Sequence, residues 1–244
     1  MRQLTRRLKP ALVGDRAFYR TVLAITMPML IQNSVANFII LLNNIMVGQL
    51  GTAQMSGVAV AGQLLVIVNL CIFGGLSGPS IYGAQFYGAG NLKGLLHTFR
   101  LRLWVVGLVF VAALAVLSIW GADLIGLFLQ GEGTQAEARD VMDYALRYMR
   151  IIIWGVLPSG LTQSYAGVLR ETGETTLPMK AGIAAVLTNL LGNWLLIFGN
   201  LGCPALGVTG AAVSTLISQC LELGIIAFGA HTTQRHAFLR GAYR

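Results

Sequence analysis

Charge is what this 244-residue chain has least of: Asp, Glu, Lys and Arg make up 11% of it, against 55% hydrophobic residues. A domain folded in water carries about 25% charged residues, so the usual solvating surface is missing and a soluble globular domain is excluded. Acids are scarcer than bases, nine against 17, for a net charge of +8. Cysteine is scarce too. Cys71, Cys203 and Cys220 show no metal-ligand spacing and leave at least one thiol unpaired, which excludes a metal centre or disulfide framework as the basis of the fold. No Gly-x4-Gly-Lys-Ser/Thr run occurs, so ATP is not bound by that route. No Asn-Pro-Ala pair of a water channel is present either.

Long apolar runs are what the chain does have. Six stand between charge-bearing breaks, approximately at Thr21–Val47, Val58–Gly83, Leu101–Trp120, Leu146–Val168, Ala181–Leu201 and Gly207–Ala230. Each matches the roughly 20 residues that a helix needs to cross the hydrocarbon core. In lipid only helices and closed barrels satisfy their own backbone. The expected fold is therefore all-α, a multi-pass transmembrane bundle of six helices over residues 21–230. A basic tail, 1–20, precedes it, and a second tail or linker, 231–244, follows. The first run is too long and too rich in Asn and Gln for a cleaved signal peptide.

Basic residues orient the bundle. Arg2, Arg6, Arg7, Lys9, Arg16 and Arg20 lie before the first run, and Lys93, Arg100 and Arg102 lie in the second connection. Arg170 and Lys180 lie in the fourth, and Arg235, Arg240 and Arg244 follow the last run. These are 14 of the 17 bases, all on one side. By the positive-inside rule that side, with both termini, faces the cytoplasm. The charge is a topology signal, and nucleic acid is not an expected partner.

Polar groups inside apolar spans are expensive and therefore informative. The first run carries Gln32, Asn33, Asn37, Asn43 and Asn44, with Asn33, Asn37 and Asn44 at helical spacing on one face. The fifth carries Asn189 and Asn193, four apart. The sixth carries Ser214, Ser218 and Glu222 in one row, with Gln219 beside it. Gln163 adds an amide to the fourth. Single hydroxyls and amides commonly serve as interhelical glue, whereas polar stripes on three separate helices point to a hydrated cavity. Glu222 is the acid that falls well inside an apolar span. It lies eight residues before Ala230, roughly 12 Å along the helix, and is a candidate ion or proton carrier. Pro28, Pro79 and Pro158 fall in the first, second and fourth runs, where each removes a backbone hydrogen bond and favours a bend.

Gly75-Leu76-Ser77-Gly78 matches the Gly-x-Ser-Gly pattern of rhomboid intramembrane proteases. Their serine needs a histidine base within the membrane, and His97, His231 and His236 all lie outside the apolar runs. The sequence therefore offers that reading no base.

An ordered set of segments remains. Leu42-Asn43-Asn44-Ile45-Met46-Val47-Gly48-Gln49-Leu50-Gly51 follows the first run, and Ala84-Gln85-Phe86-Tyr87-Gly88-Ala89-Gly90-Asn91 follows the second. The fourth gives Tyr148-Met149-Arg150-Ile151, Pro158 and Leu169-Arg170-Glu171-Thr172-Gly173-Glu174-Thr175. The last two give Leu196-Ile197-Phe198-Gly199 and Gly207-Val208-Thr209-Gly210-Ala211-Ala212. In this order, over residues 20–230, the set closely resembles the multidrug and toxic-compound extrusion (MATE) family.

The resemblance implies a secondary antiporter that exports organic cations, drugs or metabolites in exchange for Na⁺ or H⁺ by alternating access. It implies no catalytic residue, no structural metal and no cofactor beyond the coupling ion. The implied setting is a bacterial inner membrane, with both termini cytoplasmic. Family members have two six-helix lobes, so this chain resembles the N-terminal lobe. The second lobe is expected from a longer reading frame, a separate chain or a second copy. Pro28 occupies the slot of the family's first-helix proline. Asn43 or Asn44 stands where the family has an ion-binding Asp, and Asn193 stands at another position that is often acidic. Asn carries no proton, although its carbonyl can ligate Na⁺. The coupling candidates are therefore Glu222, Asn43, Asn44 and Asn193. The substrate-cavity candidates are Gln32, Asn33, Asn37, Gln163, Asn189, Ser218 and Gln219.

Two alternatives remain open. A lipid or polysaccharide-precursor flippase of the same superfamily would be expected to need a strongly cationic cavity, whereas no Lys or Arg is expected at depth here. A non-transporting membrane fragment is consistent with the Asn substitutions.

Overall fold

The computed structural model describes residues 15–129 and 134–232. The expected tails fall largely outside the described residues, which leave out 1–14 and 233–244. Helices α1 (Arg16–Gly48), α2 (Thr52–Gly88), α3 (Leu92–Ile119), α4 (Gly121–Phe128) and α5 (Gln135–Ile152) come first. α6 (Val156–Glu171), α7 (Thr176–Leu196) and α8 (Val208–Thr232) follow. Five of these, α1, α2, α3, α7 and α8, are long and apolar enough to cross a membrane.

The fourth expected run is the exception. Leu146–Val168 is divided between α5 and α6 by a tight turn of 3-10 helix at Ile153–Gly155. Pro158 lies just beyond that turn and cannot donate a backbone hydrogen bond. The first half of α5 is charged, and its apolar residues Val141, Ala145, Met149 and Ile152 form one buried stripe. α1 and α2 run unbroken through Pro28 and Pro79.

Local chemistry sets several helix starts. Asp15 accepts from the Phe18 amide at 2.7 Å to open α1, and Asn91 accepts from the Gly94 amide at 2.9 Å to open α3. Thr134 and Glu137 form a reciprocal capping box before α5. Glu174 accepts from the amides of Thr176 and Leu177, each at 3.1 Å, where α7 begins.

Two apolar clusters hold the bundle. In the first, Ala61, Leu64, Val68, Ile72 and Leu76 of α2 meet Val106, Ala113 and Leu117 of α3 and Met149 of α5. That three-or-four spacing is the signature of a helix burying a single stripe. In the second, Leu95 and Phe99 of α3 meet Tyr165 and Leu169 of α6, Ala181 of α7 and Ile226 of α8. α1 lies at the edge, packed chiefly against α7. The outward faces are apolar as well. Trp104, Leu108 and Val111 of α3 are 78%, 71% and 63% exposed, a surface that lipid tolerates and water penalises.

Candidate functional site

Polar residues of α1, α7 and α8 converge beside α2. Two adjoining clefts open there, of about 420 Å³ and about 510 Å³, and they share Ile40, Asn43, Asn69, Thr215 and Gln219. A hydrogen-bonded amide network forms the wall. Asn193 Nδ2 donates to Asn43 Oδ1 and, at 3.3 Å, to Asn189 Oδ1. Asn189 Nδ2 donates to Thr215 Oγ1 at 3.2 Å, and the Ser214 hydroxyl donates to the Asn189 carbonyl at 2.8 Å. Asn193 Oδ1 is buried with no partner. The network ties α1, α7 and α8 together through neutral groups.

The predicted residues distribute unevenly. Asn43 and Gln219 line both clefts, and Asn44 lines the smaller one. Gln32, Asn189, Ser218 and Glu222 line the larger. Asn193 sits behind the wall, 1% exposed. Asn33 and Asn37 are exposed and Gln163 is half-buried, and these three line neither cleft. Ser214 faces α7, so the row presented to the clefts by α8 is Thr215, Ser218, Gln219 and Glu222. Sequence reasoning missed Thr215, although its spacing of four and seven to Gln219 and Glu222 marks it. It also missed Gln63 and Asn69 on α2 and Tyr148 on α5. Gln63 and Asn69 were legible as amides inside an apolar run. Among the described residues lining the two clefts, Glu222 is the one carboxylate.

Two arginines require a correction. Arg102, expected in a connection, is fully buried in α3, because that helix starts at Leu92, nine residues ahead of the expected run. A buried arginine is thus present in the bundle, although no Lys or Arg lines either cleft among the described residues, and Glu171 joins Glu222 as an acid withdrawn from water. Arg102 Nη2 pairs with Glu171 Oε1 at 2.6 Å and donates to the Pro79 carbonyl at 3.1 Å. Gly167 and Gly83 make room for the pair. A Cβ at Gly167 would lie 2.8 Å from Arg102 Nη1, and one at Gly83 would lie 2.7 Å from Nη2. Arg170, one residue before Glu171, turns the other way and donates to Gln32 Oε1 at 3.1 Å.

The segment Arg170–Glu174 is thus a corner at which Arg170, Glu171, Thr172 and Glu174 have separate partners. Arg170 reaches α1 and Glu171 reaches α3. Thr172 bonds back to the Val168 and Leu169 carbonyls. Gly173 takes the left-handed turn at φ +80°, where a side chain would be strained. Glu174 caps α7.

The MatE family model matches residues 28–195, which covers α2 to α6 whole and most of α1 and α7. The chain belongs to the MatE family. It is 31% identical over 186 residues to the probable multidrug resistance protein NorM of Thermotoga maritima, covering 74% of this chain and 38% of that protein. Against NorM of Bacillus licheniformis it is 28% identical over 220 residues, covering 90% and 47%. Among solved structures, a MOP-superfamily transporter from Pyrococcus furiosus superimposes with TM-score 0.71 at 21% identity, covering 88% of this chain and 45% of that one. An outward-facing multidrug resistance MATE family transporter gives 0.68 at 22%, covering 85% and 44%. The MatE chain described here thus spans less than half the length of each of these relatives. Membership in a family of multidrug efflux transporters, the bacterial relatives and the apolar helices together mark it as a multi-pass membrane protein.

Proposed function

We propose that this MatE chain forms the N-terminal lobe of an antiporter that exports organic cations or related amphipathic compounds in exchange for H⁺ or Na⁺. Alternating access would expose the clefts between α1, α2, α7 and α8 to each side of the membrane in turn. The observation that carries this reading is the position of Glu222, a single carboxylate on the cleft wall amid amides and hydroxyls. Such a group can exchange a proton or Na⁺ for a cationic cargo, because either neutralises it. Asn43, which with Asn44 shares the slot of the family's ion-binding Asp, and Asn193, at a slot that is often acidic, are uncharged and bonded to each other. They hold α1 to α7 and offer amide oxygens, leaving the charge-carrying step to Glu222. The cytoplasmic placement of both termini rests on the 14 of 17 bases on one side, and the bias survives removal of the buried Arg102.

The flippase reading lacks a cationic lining, since no Lys or Arg lines either cleft among the described residues. The test is efflux of a fluorescent cation from proteoliposomes holding this lobe with a second lobe supplied. Under an imposed pH or Na⁺ gradient the wild type drives efflux, and Glu222→Gln inserts normally and does not. Unchanged gradient-driven efflux in Glu222→Gln removes the assignment. No efflux by the wild type under either gradient points to a non-transporting fragment.

A further inference from the structure

The proposed function leaves Arg170 unassigned, yet its guanidinium is bound to a neighbour of the cleft carboxylate. Its Nη2 reaches Gln32 Oε1 at 3.1 Å, and Gln32 and Glu222 line the same cleft. Gly182 of α7 brings those two together. A Cβ placed on it would lie 3.5 Å from Gln32 Nε2 and 3.6 Å from Glu222 Oε1, so the amide and the carboxylate converge on one bare patch of helix. Arg170, Gln32 and Glu222 thus form a row contributed by α6, α1 and α8. The end charges attract each other along it, but they do not close. The ion pairs within 4 Å among the described residues are Arg102–Glu171 and Arg147–Asp143. Arg170 also keeps a spare donor, since its Nε is buried with no partner. Its backbone is fixed next door by the Glu171–Arg102 pair, while its own side chain is held by one neutral acceptor. A long, flexible cation is therefore tethered beside the carboxylate and can leave its amide without breaking a salt bridge.

The geometry points to Arg170 as the resident counter-ion of Glu222, a positioning residue that sets the charge selectivity of the cleft by standing in for cationic cargo. This inference rests on Glu222 being the working carboxylate. A cation entering the cleft competes with Arg170 for Glu222, and an uncharged compound of the same shape does not. Cations that outcompete a guanidinium are selected, and in an empty cleft the Arg170 charge offsets that of the carboxylate.

Equilibrium binding to the purified chain in lipid nanodiscs at low salt tests this. The probes are tetraphenylphosphonium and uncharged triphenylphosphine oxide. Arg170→Gln should bind tetraphenylphosphonium about tenfold tighter, a gain of about 1.4 kcal/mol, with the neutral probe unmoved. Arg170→Lys should stay near wild type. Glu222→Gln should weaken the cation, and adding Arg170→Gln to it should change nothing further. Gln32→Leu removes the hydrogen bond and keeps the charge, so it should not reproduce the gain. Where Arg170→Gln does not fold, Arg170→Met, closer in length, takes its place. Unchanged or weaker cation binding in the neutral Arg170 variants, with Glu222→Gln still impaired, overturns the counter-ion assignment and leaves the carboxylate reading standing. So does an equal gain in Gln32→Leu or with the neutral probe. Unchanged binding in Glu222→Gln overturns both.

Discussion

Glu171→Gln removes one charge from a buried ion pair of the bundle and changes almost no volume. The Arg102 and Glu171 side chains are 1% and 9% exposed, and their nearest atoms are 2.6 Å apart. At an effective dielectric of about 20, two unit charges at that separation attract by about 6 kcal/mol before desolvation is counted. In the variant the guanidinium keeps the Pro79 carbonyl, but its Nε and Nη1 already lack partners. A buried charge without compensation costs about 3–5 kcal/mol, and Arg102→Met should cost as much by stranding the Glu171 carboxylate. The double variant Arg102→Met/Glu171→Leu buries apolar groups in the same glycine-framed space. Such replacements are neutral or stabilising by about 1–4 kcal/mol. The assay is an unfolding titration of the purified chain, from mixed micelles into SDS, followed by helical circular dichroism and run as a double-mutant cycle. Single losses of about 3 kcal/mol or more, largely recovered in the double variant, confirm a buried pair. Single losses below about 1 kcal/mol that add together would overturn it, because they are the signature of an exposed pair.

Further expectations concern the amide network, the turn before α7 and the cap of α5. Asn193→Asp removes both donors that serve Asn43 and Asn189 and should lower stability in the same titration by at least about 2 kcal/mol. Asn43→Asp keeps its role as acceptor and should lower it far less. Gly173→Ala places a side chain at φ +80° and should cost about 1–2 kcal/mol, read again from the SDS midpoint. The Thr134 backbone amide and hydroxyl donate to Glu137 and hold its carboxyl below the usual glutamate range. A lowered value means that this cap contributes above the ordinary carboxylate range and is lost as pH falls through the lowered one. Amide exchange at the start of α5, corrected for intrinsic rate, should accelerate only as pH falls below the ordinary glutamate range, and in Thr134→Ala it should be fast at neutral pH.

The parts of this structure that were legible in the sequence are those written as periodicity. Long apolar runs marked out α1, α2, α3, α7 and α8, since in lipid a run of that length has no other way to satisfy its backbone. The break at Ile153–Gly155 was less legible. Pro158 announced a bend, but the division between an amphipathic α5 and a buried α6 depends on packing against α2 and α8. The amides Asn43, Asn189 and Asn193 stand out in the sequence as polar groups inside apolar runs, and their convergence on one wall is visible only in three dimensions. Arg102 was misplaced because charge at the edge of an apolar run reads as the end of the span. The Glu171 carboxylate that lets α3 bury it lies 69 residues further on, beyond the reach of any local pattern. Asn33 and Asn37 shared a helical face with Asn44, as spacing required. α1 lies at the edge of the bundle, though, and turns that part of the face outward.

Everything proposed for the clefts turns on whether Glu222 carries the coupled charge. Efflux of a fluorescent cation from proteoliposomes, with a second lobe supplied, should be driven by a pH or Na⁺ gradient in the wild type. In Glu222→Gln, inserted to the same level, it should fall to the rate of empty vesicles. Gradient-driven efflux that persists undiminished in Glu222→Gln would contradict the claim.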